Sequence, residues 1–264
     1  MGPAPIPLAP PEGPPAATRS MAPAEVSPPD SATAPLQVIA MHGWVSDGSQ
    51  WQPWQEPIRA RGWSFQSGER GYGSRPPLHP SWTSGGRRVV IAHSMGPHLL
   101  SADVLAGADA VVLLASFARF VPPGRAGRAL RTALAGMASA LADPTTARAM
   151  LRRFLSEAAA PDPIEAMAPG PADGPLTPVG LERLGTDLQR LAQTESLPEA
   201  FPTNVPVLIV EAGADRIVAP PVRALLREAL PGATVLEVPD GGHALLRAPI
   251  LEPVLTWLQA QERP

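Results

Sequence analysis

The sequence predicts an α/β fold in which a mostly parallel, doubly wound sheet is covered by helices on both faces. Short apolar runs rich in β-branched residues alternate along the chain with segments of helical spacing. The runs are continuously apolar, as expected for parallel strands that are buried on both faces. The chain has 264 residues, 44% of them hydrophobic. One α/β domain, or one domain with an insertion, fits that length and can bury a sizeable core.

Each predicted strand is a short run of this kind. The five clearest runs are residues 36–41, 89–92, 111–115, 207–211 and 234–238. A weaker sixth candidate, residues 64–70, has the sequence SFQSGER. Helices are predicted at about residues 53–61, 95–106, 220–230 and 249–261. This alternation of strand and helix is typical of a sheet whose strands lie side by side with helical connections between them.

One long interval, residues 117–202, carries no strand signal. The apolar positions of a first helix lie three or four residues apart: Leu130, Leu134, Met137 and Leu141. Two further helices begin with a capping residue followed by proline, at Asp143-Pro144 and Thr177-Pro178. We therefore predict a core of residues 36–116 and 203–264 and a helical cap of residues 117–202. The cap is expected over the carboxyl ends of the strands, where open α/β sheets bind ligands.

The first 35 residues differ in composition from the rest of the chain. They contain eleven prolines and almost no periodic apolar pattern. Such a segment buries too little surface to offset the entropy of ordering it, so residues 1–35 are predicted to be disordered. The opening MGPAPIPLAPPEGPP lacks the basic start and the continuous apolar region of a signal peptide.

The composition also narrows the functional classes. The chain has no cysteine, which excludes disulfides, thiolate metal sites and a cysteine nucleophile. Its net charge of -3 gives no overall basic signature for nucleic acid, and no stretch approaches the roughly 20 apolar residues of a membrane span. We expect a cytoplasmic protein with no nucleic-acid or membrane partner and with no metal or other cofactor.

Ser94 is the first candidate for chemistry. It follows the predicted strand 89–92 in the sequence VVIAHSMGPHLL and precedes a helix-like stretch. A sharp strand-turn-helix corner exposes a serine hydroxyl above the sheet, and it requires small residues two positions before and two after the serine. Ala92 and Gly96 meet that requirement, although Ala92 stands where the usual pattern has glycine.

A serine hydroxyl needs a base, and the base needs an orienting carboxylate. We assign the base to His243, which follows the last predicted strand in VPDGGHALL. The other histidines lie at motif-flanking, helical or loop positions: His42, His79, His93 and His98. Asp215, after the strand 207–211, is the favoured carboxylate, with Glu211 as the alternative and Asp240 too close to His243 in sequence. The resulting chain order is serine, aspartate, histidine.

Acyl transfer further requires hydrogen-bond donors for the negatively charged oxygen of the tetrahedral intermediate. The backbone N–H of Met95, directly after Ser94 and at the start of the predicted helix, is one candidate. The loop after the first strand, AMHGWVSDGSQW, is expected to supply the other from Trp44. Trp44, Phe117 and Phe154 are also candidates for the wall of an acyl channel.

These motifs resemble those of the α/β-hydrolase superfamily over about residues 36–262. The resemblance rests on four segments in order: His42-Gly43-Trp44, Ala92 to Gly96, the Asp215 loop and the His243 loop, with RGYGSRPP similar to a glycine-containing loop of these enzymes. It implies the α/β-hydrolase fold and hydrolysis by Ser94, His243 and Asp215. The sequence departs from the family in having Ala92 in place of glycine. It also has a very short segment before the strand 89–92, which puts the helix that usually precedes this strand in doubt.

Within the superfamily the sequence is similar to pimeloyl-acyl-carrier-protein methyl ester esterases, including the small cyanobacterial type. That resemblance implies a carboxylesterase of biotin synthesis that acts on a methyl ester. The predicted cap is rich in arginine, and an acidic acyl carrier protein would be attracted to it. The arginines assigned to this role are Arg125, Arg128, Arg131, Arg148 and Arg152. A general carboxylesterase, thioesterase or lactonase and a non-catalytic ligand-binding protein are the alternatives.

Overall fold

The computed structural model describes residues 1–2 and 35–261. The prediction of disorder for residues 1–35 therefore lies almost entirely outside the described residues. The strands are β1 (Gln37–Met41), β2 (Ser64–Ser67), β3 (Arg88–His93), β4 (Ala110–Leu114), β5 (Val207–Ala212) and β6 (Thr234–Val238). The helices are α1 (Gln52–Arg59), α2 (Ala102–Ala106), α3 (Arg128–Ala140), α4 (Pro144–Ala159), α5 (Pro178–Gln193), α6 (Pro220–Ala229) and α7 (Leu251–Ala260).

The six strands form one parallel sheet in the order β2-β1-β3-β4-β5-β6. This arrangement confirms the predicted fold class, and the weak sixth candidate is confirmed as the edge strand β2. In the centre of the sheet Ala92 of β3 lies beside Met41 of β1 and Leu113 of β4. Because all strands run in the same direction, the segments that follow them meet at one edge.

Helices cover both faces of the sheet, as the continuous apolar strands predict. On one face Val38 and Ala40 of β1 pack with Ile58 of α1 and with residues of α7. On the other face Ile39 packs in a cluster with residues of α2 and α6, among them Leu226. Successive residues of a strand point to opposite faces, so both faces of β1 need an apolar cover.

The predicted helix over residues 95–106 is wrong in its first half. A single 3-10 turn, Gly96–His98, follows the β3 corner, and α2 begins only at Ala102. Between them Ser101 adopts an extended backbone, with φ -69° and ψ 154°, and its hydroxyl accepts a hydrogen bond from the N–H of Val104. Ser101 therefore caps a new helix instead of continuing the first turn.

The stretch between β2 and β3, whose short length put the usual helix there in doubt, contains no helix. In this described stretch one isolated bridge joins Glu69 to Leu78 in antiparallel pairing. The backbone then returns to the sheet through Gly85 and Gly86, both with φ of 78°. Such positive φ values suit glycine because it has no Cβ.

Helices α3, α4 and α5 all lie between β4 and β5, within the predicted cap. Their start signals are confirmed: Asp143 accepts hydrogen bonds from the N–H groups of Thr145 and Thr146, and Thr177 accepts one from Gly180. Apolar side chains of the three helices share a buried cluster with Trp44 and Met95, which follow β1 and β3. The helices therefore lie over the carboxyl edge of the sheet. Among the described residues, no helix has both the length and the hydrophobicity of a membrane span.

Candidate active site

Ser94 lies in a strained corner at the end of β3. Its φ of 54° is in the left-handed region, which is uncommon for a residue with a Cβ and is often found at functional sites. Two hydrogen bonds hold the corner: the Ser94 N–H donates to the Leu114 carbonyl at 2.9 Å, and the Ser116 hydroxyl donates to the Ser94 carbonyl at 2.7 Å. The backbone around Ser94 is thus fixed by the end of β4 and the residues after it.

Close packing around this corner explains the small residues that flank Ser94. A Cβ placed on Gly96 would lie 2.6 Å from the Met41 carbonyl oxygen and 3.2 Å from the Cβ of Ala92. A Cβ placed on Gly43 would lie 2.8 Å from the Cβ of Ser94. Glycine at position 96 therefore avoids an overlap with the Met41 carbonyl and leaves room for the methyl group of Ala92.

The side chain of His243 lies between Ser94 and Asp215. Its Nε2 is 3.0 Å from the Ser94 Oγ, and its Nδ1 is 2.9 Å from the Asp215 Oδ2. All three side chains are buried. The three residues predicted as nucleophile, base and orienting carboxylate are thus brought together in one hydrogen-bonded series.

Asp215 is held as a carboxylate by several donors. Burial raises the pKa of Asp215, but the charge and hydrogen bond of His243, together with the backbone N–H groups of Val218 and Ile217, outweigh burial and leave the pKa below its usual value. The two N–H groups donate to Oδ1 at 2.8 and 2.7 Å. Glu211, the alternative carboxylate, instead forms a bidentate ion pair with Arg227. The alternative is therefore not supported by the geometry.

The backbone N–H groups of Trp44 and Met95 are the two candidates for donors to the negatively charged oxygen. In the part of the chain that the structure describes, neither donates a hydrogen bond, although both residues are buried. Buried N–H groups without a partner are rare in folded proteins. Met95 directly follows Ser94, and Gly43, next to Trp44, lies against the Ser94 side chain. Both N–H groups thus belong to segments that meet at the serine.

Two further histidines order the loops of the site as neutral rings. His42 Nδ1 lies 2.8 Å from the Gly43 carbonyl and so donates to it, while His42 Nε2 accepts from the backbone N–H of Arg70 at 3.1 Å. His93 Nε2 lies 2.9 Å from the His243 carbonyl and donates to it. Burial lowers the pKa of both rings; for His93, burial and the nearby His243 charge lower the pKa to about 3.

A cavity of about 450 Å³ opens beside Ser94 and His243. Its size lies within the range of small-molecule sites, and most of its surface is apolar. Trp44 and Phe154 both line it, in edge-to-face contact with their ring centroids 5.0 Å apart. Among the described residues, no group of three or more His, Asp or Glu side chains is arranged to hold a metal ion.

Phe117 is not brought to this cavity. Its side chain is fully buried, and its ring stacks on His98 with the centroids 5.0 Å apart. The His98 ring also donates a hydrogen bond from Nε2 to the Phe117 carbonyl at 3.1 Å. The expectation that Phe117 lines an acyl channel is therefore wrong, because the Phe117 ring is buried against His98 and does not reach the cavity.

The five arginines assigned to a carrier protein have different surroundings. Arg125, Arg128, Arg131 and Arg152 are exposed. Arg131 uses its guanidinium to donate to the Gly124 carbonyl at 2.6 Å. The assignment of Arg148 needs correction: its half-buried guanidinium donates to the Ala172 and Gly174 carbonyls at 2.7 and 3.0 Å. Arg148 therefore ties a loop to α4 and is not free for a partner.

Sequence reasoning missed a polar network that joins α5 to the core. The fully buried Asp187 accepts hydrogen bonds from Arg70 Nε at 2.6 Å, from Arg70 Nη2 at 2.8 Å and from the Tyr72 hydroxyl at 2.7 Å. A signal for it exists in the sequence, because Asp187 lies on the same face of α5 as the buried Leu184 and Leu188. Arg247, which lines the cavity, was also missed; it follows His243 by four residues.

Comparisons with known proteins agree with this architecture. Residues 38–254 match the model of the Alpha/beta hydrolase family. A bromoperoxidase from Bacillus anthracis has a similar structure, with a TM-score of 0.59, 19% identity, and 85% of this chain aligned to 92% of that one. The esterase EaEST from Exiguobacterium antarcticum has a TM-score of 0.56 at 13% identity, with coverage of 85% and 92%. A thermophilic esterase from Thermogutta terrifontis, with malate bound, has a TM-score of 0.55 at 16% identity, with coverage of 86% and 92%. No curated protein matches the sequence.

Proposed function

The chain belongs to the alpha/beta hydrolase family, and from that premise we propose that it is a serine hydrolase that cleaves carboxylic esters. The observation that carries the proposal is the hydrogen-bonded series from Asp215 through His243 to Ser94, which ends at a largely apolar cavity. A serine so placed has a base within hydrogen-bonding distance and a cavity that accepts an acyl group.

In the proposed mechanism the Ser94 hydroxyl attacks the ester carbonyl while His243 Nε2 takes its proton. Asp215 holds the proton of His243 on Nδ1, so that Nε2 is free to act as the base, and its negative charge stabilises the imidazolium. His243 then donates the proton to the departing alkoxide. A water molecule, activated by His243, cleaves the acyl-enzyme and restores Ser94.

The negative charge that develops on the carbonyl oxygen needs donors that are in place before the reaction. We assign this role to the backbone N–H groups of Trp44 and Met95, which donate no hydrogen bond to any described residue. Removing one donor of this kind typically costs about 100- to 1,000-fold in kcat. Because both donors belong to the backbone, their position depends on the tight packing of Gly43 against Ser94.

Replacing the nucleophile tests the proposal. Ser94→Ala should abolish hydrolysis of p-nitrophenyl hexanoate and labelling by a fluorophosphonate probe, while the circular dichroism spectrum stays that of the wild type. Ser156→Ala, an exposed position on α4, is the matched control and should keep full activity. Hydrolysis by the Ser94→Ala variant at the wild-type rate would contradict the proposal.

The narrower candidate substrate is the methyl ester of a pimeloyl chain on acyl carrier protein, in biotin synthesis. It is supported by the motif resemblance and by Arg125, Arg128 and Arg152, which are exposed and whose guanidinium groups form no hydrogen bond or ion pair with the described residues. Carrier proteins are acidic, and opposite charges speed the encounter of two proteins.

Charge reversal separates a carrier-bound substrate from a free one. Arg128→Glu together with Arg152→Glu should lower kcat/KM for a carrier-bound methyl ester much more than for a small soluble ester, and added salt should reduce the difference. Rescue of a biotin-auxotrophic strain that lacks the methyl esterase tests the same candidate in cells. Equal loss on both substrates, without rescue, would remove the carrier protein from the proposal.

A further inference from the structure

Among the described residues that line the cavity beside Ser94, Arg247 alone carries a permanent charge. No Asp or Glu side chain is part of that lining. Arg247 is exposed, and its guanidinium forms no hydrogen bond or ion pair with the residues that the structure describes. Because Arg247 is exposed and the rest of this lining carries no carboxylate, its guanidinium is available to a ligand in the cavity.

The position of Arg247 limits how far it lies from the reacting atoms. It ends the 3-10 turn Leu245–Arg247, four residues after His243. Four residues span at most about 14 Å of chain, and a 3-10 turn is shorter. The same lining includes the apolar side chains of Leu155, Leu246 and Leu251.

The remaining polar lining near α1 is uncharged. Gln50 and Gln52, together with Ser49, supply amide and hydroxyl groups that bind an anion or water equally well. Arginine differs from them because its planar guanidinium matches the two oxygens of a carboxylate or a phosphate. The cavity lining thus combines a nucleophile, largely apolar side chains and one cation.

We propose that this cavity takes acyl esters whose chain carries an anionic group, a carboxylate or a phosphate, a short or medium distance from the scissile carbonyl, and that Arg247 binds this group. The inference rests on the proposed function, since it names the substrate class of the same site. It makes Arg247 a specificity-determining residue and gives it no part in the bond-breaking steps.

Two esters of equal acyl length provide the test: p-nitrophenyl hexanoate, which is neutral, and mono-p-nitrophenyl adipate, which ends in a carboxylate. The ratio of kcat/KM for the adipate ester to that for the hexanoate ester should fall about tenfold in Arg247→Gln, a change of about 1.4 kcal/mol. Arg153→Gln, an exposed arginine outside the cavity lining, should leave the ratio unchanged. A phosphonate-terminated ester of the same length shows which anion is preferred.

A ratio within about twofold of the wild-type value in Arg247→Gln would overturn the inference and leave the esterase proposal standing. If the wild type hydrolyses neither ester, the esterase proposal fails, and binding then decides the inference separately. Calorimetry on Ser94→Ala protein should show tighter binding of monomethyl adipate than of methyl hexanoate, and Arg247→Gln should remove that preference. Equal binding of the two ligands would overturn it.

Discussion

Replacing Asp187 with alanine should destabilise the protein strongly, because this carboxylate joins α5 to the segment after β2. Its side chain is 0% exposed and accepts three hydrogen bonds, two from Arg70 and one from Tyr72. In Asp187→Ala the buried Tyr72 hydroxyl loses its acceptor, at a cost of about 1–3 kcal/mol. Arg70, whose side chain is 24% exposed, loses its counter-ion as well.

The combined effect should be about 3–5 kcal/mol, the usual cost of removing one partner from a buried ion pair. For a chain of this size, that corresponds to a fall in Tm of roughly 6–20 °C, since 1 kcal/mol shifts Tm by about 2–4 °C. Urea unfolding followed by far-ultraviolet circular dichroism measures the free energy of unfolding directly. The effect of Tyr72→Phe and Asp187→Ala together should be smaller than the sum of the two single effects, because they share a contact.

A surface pair provides the control. Arg119 and Glu195 also form an ion pair, at 2.7 Å, but the Glu195 side chain is 75% exposed. Glu195→Ala should therefore change the free energy of unfolding by no more than about 1 kcal/mol. If Asp187→Ala were no more destabilising than Glu195→Ala, the Arg70–Tyr72–Asp187 network would not be a stabilising contact between α5 and the core.

Three further predictions follow from buried groups of the site and its network. Tyr72 is the one tyrosine of the chain, and burial and the Asp187 charge raise its pKa well above 10.0. The absorbance of phenolate should therefore stay low above pH 10 until the protein unfolds in alkali. Titration of Tyr72 near pH 10 in the folded protein would refute the raised pKa. Burial and the His243 charge lower the pKa of His93 to about 3. The free energy of unfolding should therefore fall as pH drops from about 6.5 towards 3, because only the unfolded chain takes up a proton on this histidine in that range. Urea titrations of His93→Gln should show a shallower fall with pH, and a slope identical to that of the wild type would contradict the assignment. Gly43→Ala should lower kcat on p-nitrophenyl hexanoate about 100-fold by displacing Ser94, whereas Gly136→Ala, where a Cβ meets nothing within 4 Å, should keep the wild-type kcat.

The features that were predictable from the sequence depend on local pattern. The strands β1, β3, β4, β5 and β6 are mainly apolar runs, whereas β2 is not and gave only a weak signal. The helix starts at Asp143 and Thr177 depend on a side chain and the N–H groups two or three residues later. The serine, aspartate and histidine each follow a strand of a parallel sheet, so their convergence at one edge follows from the topology. Their catalytic roles stay proposals.

The features that were not predictable depend on contacts between distant segments. The break before α2 depends on Ser101 capping a new turn, which competes with a helix-like apolar pattern. Arginine and phenylalanine are residue types that suit a binding role. Only the folded chain shows that the Arg148 guanidinium already binds two backbone carbonyls and that the Phe117 ring already stacks on His98. Asp187 forms hydrogen bonds with Tyr72 and Arg70, which lie 115 and 117 residues earlier in the chain.

The loop that carries His243 rests directly on the end of α4. The Ala244 N–H donates to the Ala158 carbonyl at 3.1 Å, and a Cβ on Gly242 would overlap the carbonyl group of Ala160. Exchange of the whole α3–α5 segment for that of another hydrolase would therefore remove residues that line the cavity, and also the α4 residues against which the His243 loop packs. Chimeras intended to change the substrate range should keep the last turn of α4 and Gly242, and should place their junctions after Ala160.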